Sequence, residues 1–322
     1  MAKKNDSTLM YRVARCYYQD NMSQNEIAQL EGISRSTVSR LLEKAKNNGI
    51  VTIDIKIPKI PDVETLADRI RAKLHLNRVI VVPVSASKRS SKNEEQILRD
   101  VTCIAATHLP NLLKNSRIVG LGWARTLYNT ALQLPNIKPE KEMLFVPLVS
   151  NLTTRNRYLQ TSTIVSRFAE KFCAKEYYLN ISSIKRAHET RTQEEEANIL
   201  QLQRYWDSLD TAIISLGVPQ RVYEHYLFDE IPPNSFYKTR YDSSARFESL
   251  GQIYFENGSY RRLSVDFEII ALELKRLRSV PNVICIAADT DKAVPILYAA
   301  RNGFIKTLII DHLTAESILN ML

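Results

Sequence analysis

Two periodicities divide the chain. In its first part the apolar positions recur every three or four residues, as on one face of a helix. Val13, Ala14 and Tyr17 do so across 9–19, Ile27, Ala28 and Leu30 after Ser23, and Val38, Leu41 and Leu42 across 35–46. A strict alternation follows at 49–57 (GIVTIDIKI), the pattern of a half-buried wing strand. Pro58-Lys59-Ile60-Pro61 then interrupts helix and strand alike. It marks the expected boundary between a small helical domain at 1–58 and a larger domain at 62–322.

Beyond that boundary the pattern changes. Short β-branched runs stand at 79–83, 118–123, 143–149, 177–181, 212–217, 283–287 and 307–311. Helical spacing occupies 63–76, 94–113, 126–134, 164–173, 194–209, 269–277, 293–301 and 315–322. Strands that are apolar on both faces and separated by helices imply a parallel sheet covered on both sides. The expected fold class is therefore α/β, a winged helix-turn-helix followed by a doubly wound parallel sheet whose ligands bind beyond the carboxyl ends of the strands. Two stretches fall outside this reading. Residues 85–92 (SASKRSSK) are polar and basic, as in a surface loop, and 221–249 are rich in Tyr, Phe and Pro without a clear period.

The first part carries its own punctuation. Ser23 and Glu26 have capping-box spacing, Gly32 permits a left-handed turn, Ile33 fills the wedge, and Ser34 caps the next helix. The outer face of that second helix shows Arg35, Ser36, Thr37, Ser39 and Arg40, with Lys44 further along. Short polar groups near a recognition helix's N-terminus approach base edges, and arginines reach guanine or phosphate. Ser23, Gln24, Ser34, Arg35, Ser36, Thr37, Ser39, Arg40 and Lys44 are the candidate DNA contacts. The alternative is a helical hairpin with a solvated polar face and no DNA partner.

Length and composition narrow the function classes. A chain of 322 residues with 44% hydrophobic and 25% charged residues suits two globular domains and argues against disorder. The net charge is +9, and residues 1–61 hold ten Lys/Arg against six acids, so positive charge is concentrated on the small domain. Cys16, Cys103, Cys173 and Cys285 lie far apart, which disfavours a disulfide framework or zinc site and predicts reduced, buried thiols. No apolar run approaches the length of a membrane span, and MAKKNDST leads into an amphipathic stretch rather than a signal core. The expectation is a soluble cytoplasmic protein with operator DNA as partner, no membrane association, and no cofactor, metal or catalytic residue.

The motif MSQNEIAQLEGISRSTVSRLLEKAKNNGIV at 22–51 resembles the helix-turn-helix of the SorC family of bacterial sugar-operon regulators. Gly120-Leu121-Gly122-Trp123-Ala124-Arg125-Thr126-Leu127 resembles that family's G-x-x-W-G-R-T-L segment. Ser215-Leu216-Gly217 is similar to its G-I-G strand end and Gly251-Gln252-Ile253 to its G-D-I. Ala299-Ala300-Arg301-Asn302-Gly303 and Leu308-Ile309-Ile310-Asp311 resemble its ending, and the likeness runs over roughly residues 8–320. The resemblance implies a sensor domain of sugar-phosphate-isomerase-like fold that binds a phosphorylated sugar and assembles into dimers or tetramers.

A candidate effector site follows. The strand at 118–122 runs into a helix starting near Ala124, and backbone N–H groups at a helix start favour an anion. Arg125 and Thr126 add a guanidinium fork and a hydroxyl, and the resemblance places the effector phosphate at this loop, which includes Trp123. The bland alternative has Thr126 capping the helix and Arg125 at the surface. Asn151 and Gln160 flank a polar loop, and the resemblance makes Gln160 a sugar contact and Lys292 a ligand-side lysine. Asp289 lies near a strand end, and Asp311 ends the last strand, where it serves either a sugar hydroxyl or the cap of the final helix. Three departures reshape this pocket. Ser150-Asn151 and Ala287-Ala288 replace glycine pairs, and Gln252 replaces an acid, which removes a strong hydroxyl acceptor.

Two other functions compete. A sugar-phosphate isomerase with a DNA-binding appendage needs a general base, for which Asp289, Asp291 and His312 are the available groups. An oligomeric DNA-binding protein without an effector would gain no melting temperature from any small ligand.

Overall fold

The computed structural model describes residues 2–52, 61–84, 91–138, 141–151, 160–179, 181, 185–186, 190–219, 221, 242–262 and 267–322. The chain divides into two compact units, Met1–Lys59 and Ile60–Leu322.

In the first unit α1 (Ala2–Tyr18), α2 (Gln24–Glu31) and α3 (Arg35–Asn47) close on Met10, Val13, Ala14, Ile27, Val38, Leu41, Leu42 and Ala45. Ser23 caps α2: its Oγ accepts the Glu26 N–H at 3.3 Å, and the Glu26 carboxylate accepts the Ser23 N–H at 2.7 Å. Gly32 stops α2 at φ +66°, with its N–H donating to the Ala28 carbonyl. A β-carbon there would meet nothing within 4 Å, so the position requires glycine for its backbone angle and not for space. Ser34 starts α3 by accepting the Thr37 N–H at 3.2 Å. The alternating run is described only in part. Its described part, 49–52, is not a strand, and Ile50 and Val51 both donate back to the Ala45 carbonyl at the end of α3. Residues 53–57 lie outside the described residues.

The second unit begins with α4 (Pro61–Leu74), β1 (Arg78–Val82), α5 (Ser91–Leu112), β2 (Ile118–Leu121) and α6 (Arg125–Gln133). It continues through β3 (Leu144–Pro147), α7 (Thr161–Lys171), β4 (Lys175–Glu176), β5 (Lys185–Arg186), α8 (Gln193–Asp207) and β6 (Thr211–Ile214). A meander of β7 (Ala245–Ser249), β8 (Gln252–Phe255) and β9 (Tyr260–Arg262) follows, then β10 (Phe267–Glu268) and a 3-10 turn Leu274–Ser279. The chain ends with β11 (Asn282–Ile286), α9 (Ala293–Arg301), β12 (Thr307–Asp311) and α10 (His312–Asn320). Of the loop expected at 85–92, residues 85–90 lie outside the described residues and Ser91 already opens α5.

Seven strands form one sheet in the order β1-β12-β11-β6-β2-β3-β4, and every pair in it is parallel. Successive residues face opposite cores. Ala212, Ile214, Val283, Cys285, Leu308 and Ile310 enter one, with Ile70, Leu202 and Ile318 from α4, α8 and α10. Val119, Leu121, Ile213, Ile284 and Ile309 enter the other, with Leu109, Leu127 and Phe168 from α5, α6 and α7. Two-sided burial is why these strands read as unbroken apolar runs. Gly120 lets strand and loop approach: a β-carbon there would stand 2.3 Å from Leu148 Cδ2.

Two expected elements differ. The edge strand is Lys175–Glu176, not 177–181; Leu179 and Ile181 in the expected run are buried core residues beyond it. The helix expected at 269–277 is instead extended chain followed by a 3-10 turn. Ser150 donates to the Ile270 carbonyl and Leu272 to the Leu148 carbonyl, both at 2.8 Å, so these residues pair with the chain leaving β3. Ile269, Ile270, Leu272, Leu274 and Leu277 are all buried, and such dense apolar spacing fits either conformation.

Candidate functional site

The reader helix presents its candidates outward. Ser34, Arg35, Ser36, Ser39, Arg40 and Lys44 are exposed and Thr37 is half-buried, while Val38, Leu41, Leu42 and Ala45 fill the opposite face. The Ser34 hydroxyl lies 2.9 Å from that of Ser36 and 2.8 Å from that of Thr37, which gathers three hydroxyls at the start of α3. No acid occupies its first turn, so no carboxylate there opposes the positive end of the helix dipole. Ser23 is exposed and Gln24 half-buried, and the Ser23 hydroxyl is engaged in capping α2. The guanidinium of Arg12 grips both oxygens of Glu31, at 3.0 and 2.7 Å, and ties α1 to the end of α2. That contact holds the Glu31 carboxyl below its usual range.

In the sheet, β2 and β6 are neighbours from which the chain winds in opposite directions: β2 to β3 and β4 on one side, β6 to β11 and β12 on the other. Open α/β sheets bind ligands beyond the carboxyl ends of the strands at such a switch point. Gly122, Trp123 and Ala124 lead from β2 into α6, and Ala124 occupies the N-cap with no side-chain hydrogen bond to the helix. Trp123 and Thr126 are buried. Thr126 therefore lies inside the helix rather than capping it, and Arg125 is paired with Glu95.

Lys292 reaches the same crevice from the segment after β11. The residue as a whole is half-buried, but its ammonium is deep and donates to Ser215 Oγ, just past β6, at 3.4 Å. Burial lowers its pKa; Cys285, Asp289 and Glu248 pull it back up and Arg221 pushes it down. Glu248 is not among the residues that the sequence suggests for this site. It lies on β7, whose backbone exchanges two hydrogen bonds with Gly217 at the end of β6. Burial pushes its carboxyl up to about 7, against the Gly251 N–H, Lys292 and the Trp123 indole, all of which favour the charged form. The Gly251 N–H lies 2.8 Å from Glu248 Oε1.

The remaining candidates surround this pair with defined local tasks. Asn151 Oδ1 accepts the Ser162 N–H at 2.8 Å in the first turn of α7, and Gln160 occupies that helix's N-cap. Ser150 Oγ and Thr161 Oγ1, beside them in sequence, are buried with no hydrogen-bond partner among the described residues. Gln252 is buried and spends its amide on backbone, donating to the Leu272 carbonyl at 2.9 Å and accepting from the Leu274 N–H at 3.1 Å. Asp289 adopts φ +98°, caps the turn before α9, and pairs with Arg221, which also pairs with Asp291. Asp311 caps α10 through the Thr314 N–H and hydroxyl, at 2.8 and 2.7 Å, and accepts the Asp289 N–H at 3.2 Å. His312 Nδ1 accepts the Val84 N–H at 3.1 Å.

The structure thus brings Trp123 and Lys292 together with Glu248 and Ser215, and sets Ala124, Arg125 and Thr126 on the same strand end. Asn151 and Gln160 stand by β3; Asp289 and Asp311 stand by β11 and β12. Two cysteines correct the expectation of buried thiols: Cys103 and Cys173 are exposed, whereas Cys285 is buried and its thiol is pushed up to about 12. Among the described residues no helix is long and apolar enough to cross a membrane.

Comparison with known proteins adds an independent line. Residues 59–320 match the family described as "Putative sugar-binding domain", and residues 8–69 match the Crp-like helix-turn-helix domain. The sorbitol operon regulator of Klebsiella pneumoniae is 26% identical over 327 residues, covering 99% of this chain and 100% of that protein. The deoxyribonucleoside regulator of Bacillus subtilis (strain 168) is 26% identical over 315 residues, covering 97% of each. The crystal structure of the full-length sorbitol operon regulator SorC from Klebsiella pneumoniae shares the fold, with a TM-score of 0.68 at 22% identity over 98% of this chain and 99% of that one.

Proposed function

This chain belongs to the SorC family of transcriptional regulators with a sugar-binding domain, and on that premise we propose that it controls a carbohydrate-utilisation operon in response to a phosphorylated sugar. Residues 1–58 act as the operator reader, and 62–322 bind the effector and hold a homodimer or homotetramer together in the cytoplasm. The observation that carries the effector half is the crevice at the switch point. A buried ammonium, Lys292, and a helix start without a side-chain cap, at Ala124, open on the same sheet edge. Arg125 and Thr126 extend from that helix start toward an anion.

Paired readers contact a pseudo-palindromic operator, with half-sites about 34 Å or a multiple apart. Arg35, Ser36, Ser39 and Arg40 approach base edges, Thr37 packs beside them, and Lys44 meets phosphate. Effector binding favours one arrangement of the sensor over another and changes how the two readers are coupled. The groups that an isomerase would recruit as general base support this reading over the enzymatic one: Asp289 and Asp291 are paired with Arg221, and His312 Nδ1 holds a backbone N–H.

The test is binding of the purified full-length chain to its own upstream DNA, at two salt concentrations, with and without sugars and sugar phosphates. Specific binding that one phosphorylated sugar alters, and an Arg125→Ala/Thr126→Ala variant that binds DNA but ignores the sugar, are expected. Specific binding that no sugar changes would sink the effector assignment and leave the reader standing.

A further inference from the structure

Glu248 and Lys292 are an incomplete pair. A carboxylate offers about four lone-pair positions and an ammonium three protons. Glu248 receives the Gly251 N–H and the Trp123 indole. Lys292 gives one long hydrogen bond, at 3.4 Å, to Ser215 Oγ. The two charges attract each other, yet no distance between Lys292 Nζ and a Glu248 oxygen falls within 4.0 Å. A buried carboxyl, charged at pH values above about 7, and an ammonium therefore stand apart, with acceptor positions left on the first and donors left on the second. The carboxyl is fixed from behind, as is Ser215, the partner of Lys292. The β7 backbone carrying Glu248 is bonded to Gly217, and the Ser249 hydroxyl donates to the Ser215 carbonyl at 3.2 Å.

The chemistry of that gap selects its occupant. An anion would be repelled by Glu248 and a cation by Lys292, while an apolar group would leave both charges uncompensated. A hydroxyl donates to a carboxylate and accepts from an ammonium at once. Gln252 does not compete for this task, since both ends of its amide are held by the backbone at Leu272 and Leu274. We infer that Glu248, with Lys292, is the residue that recognises the hydroxylated end of the effector, and that the phosphate lies away from it, toward Arg125. This inference rests on the reading of the crevice as a sugar-effector site. It adds to that reading a specificity-determining carboxylate and an orientation for the ligand.

The experiment uses the full-length chain and its Glu248→Gln variant, which keeps an acceptor for the Gly251 N–H and removes the charge. Calorimetric titration is run at pH 8, above the Glu248 value of about 7, with ribose 5-phosphate, glucose 6-phosphate, glucitol 6-phosphate, a deoxy analogue of each, and inorganic phosphate alone. In the wild type at least one sugar phosphate binds better than its deoxy analogue. In the variant its affinity falls about 10- to 100-fold, the loss expected for a hydrogen bond to a charged group. Discrimination against the deoxy analogue falls with it, and the response to inorganic phosphate is unchanged. A variant that keeps the wild-type discrimination, or that weakens inorganic phosphate equally, overturns the role of Glu248 and leaves the sugar-effector reading intact. A wild type that responds to none of the sugar phosphates overturns both. If the glutamine variant fails to fold, Glu248→Asp, which keeps the charge but withdraws it by one methylene, is expected to show the same loss of discrimination.

Discussion

The reader unit and the switch-point crevice set their working groups on opposite kinds of surface. Every proposed DNA contact lies between Ser23 and Lys44, on two consecutive helices, and most are exposed. Trp123, Ser215, Glu248 and Lys292 come from four separate stretches, and the charged ends of the last two are buried. The first arrangement needs only a small core behind a polar face, because long-range attraction to a polyanion does not require a dry site. On the proposed reading the second distinguishes small molecules by one or two hydroxyls, and buried groups do this best because a missing partner there stays uncompensated. The difference teaches that one chain can hold a cheaply built contact face beside an electrostatically costly one.

The largest expected effect tests whether the faces fail separately. Ile27 is fully buried in the three-helix core, so Ile27→Ala should destabilise the small unit by about 3 kcal/mol and abolish operator binding. Melting of the large unit should still rise with effector. Loss of that rise would break the separation.

The cost of the buried carboxyl should be visible in pH. Glu248 titrates at about 7 when folded against an ordinary 4.5, so the folded chain binds the extra proton between those values. Stability from this group is complete below pH 4.5 and declines as pH rises toward 7. Glu248→Gln should remove that decline and gain up to about 3 kcal/mol at pH 8 relative to pH 4.5. Denaturation at both pH values measures it, and a difference that does not vary with pH counts against the assignment.

Smaller effects belong to the reader. Arg40→Ala should weaken operator binding by about 1–3 kcal/mol if the residue reads a base, leaving the large unit's response untouched. Gel-shift titration decides, and unchanged affinity removes Arg40 from the contact face. Ser34→Ala should cost about 1 kcal/mol of stability through the lost cap to Thr37 N–H. A variant as stable as wild type in urea would show that the hydroxyl cluster at the start of α3 does not stabilise the unit.

How far each region could be read from sequence follows from the same contrast. Caps and the helix turn are local, so Ser23, Glu26, Gly32 and Ser34 are legible without any tertiary knowledge, and the structure places them as their spacing requires. The central strands are legible because two-sided burial writes an unbroken apolar run. Burial alone is not conformation, however, and this is why the apolar runs at 177–181 and 269–277 suggest a strand and a helix that the structure does not form there. The meander is hard to see in the sequence although Asn257-Gly258 is a hairpin signal, since the stretch before it has no period. Glu248 was invisible for a deeper reason: nothing in the order of residues says that a carboxylate on β7 will face an ammonium that follows β11.

Among the described residues, the backbone of the meander that carries Glu248 meets that of the sheet region at an isolated bridge between Glu248 and Gly217. A fold built this way separates inheritance of architecture from inheritance of taste. Mutations in the parallel strands would be filtered by two cores at once, whereas the β7–β8 hairpin meets one of them, through Phe247, Leu250 and Ile253, and sets Glu248 on a wall of the crevice. A lineage could then exchange one sugar for another at the polar positions beside Glu248, while the reader continues unchanged.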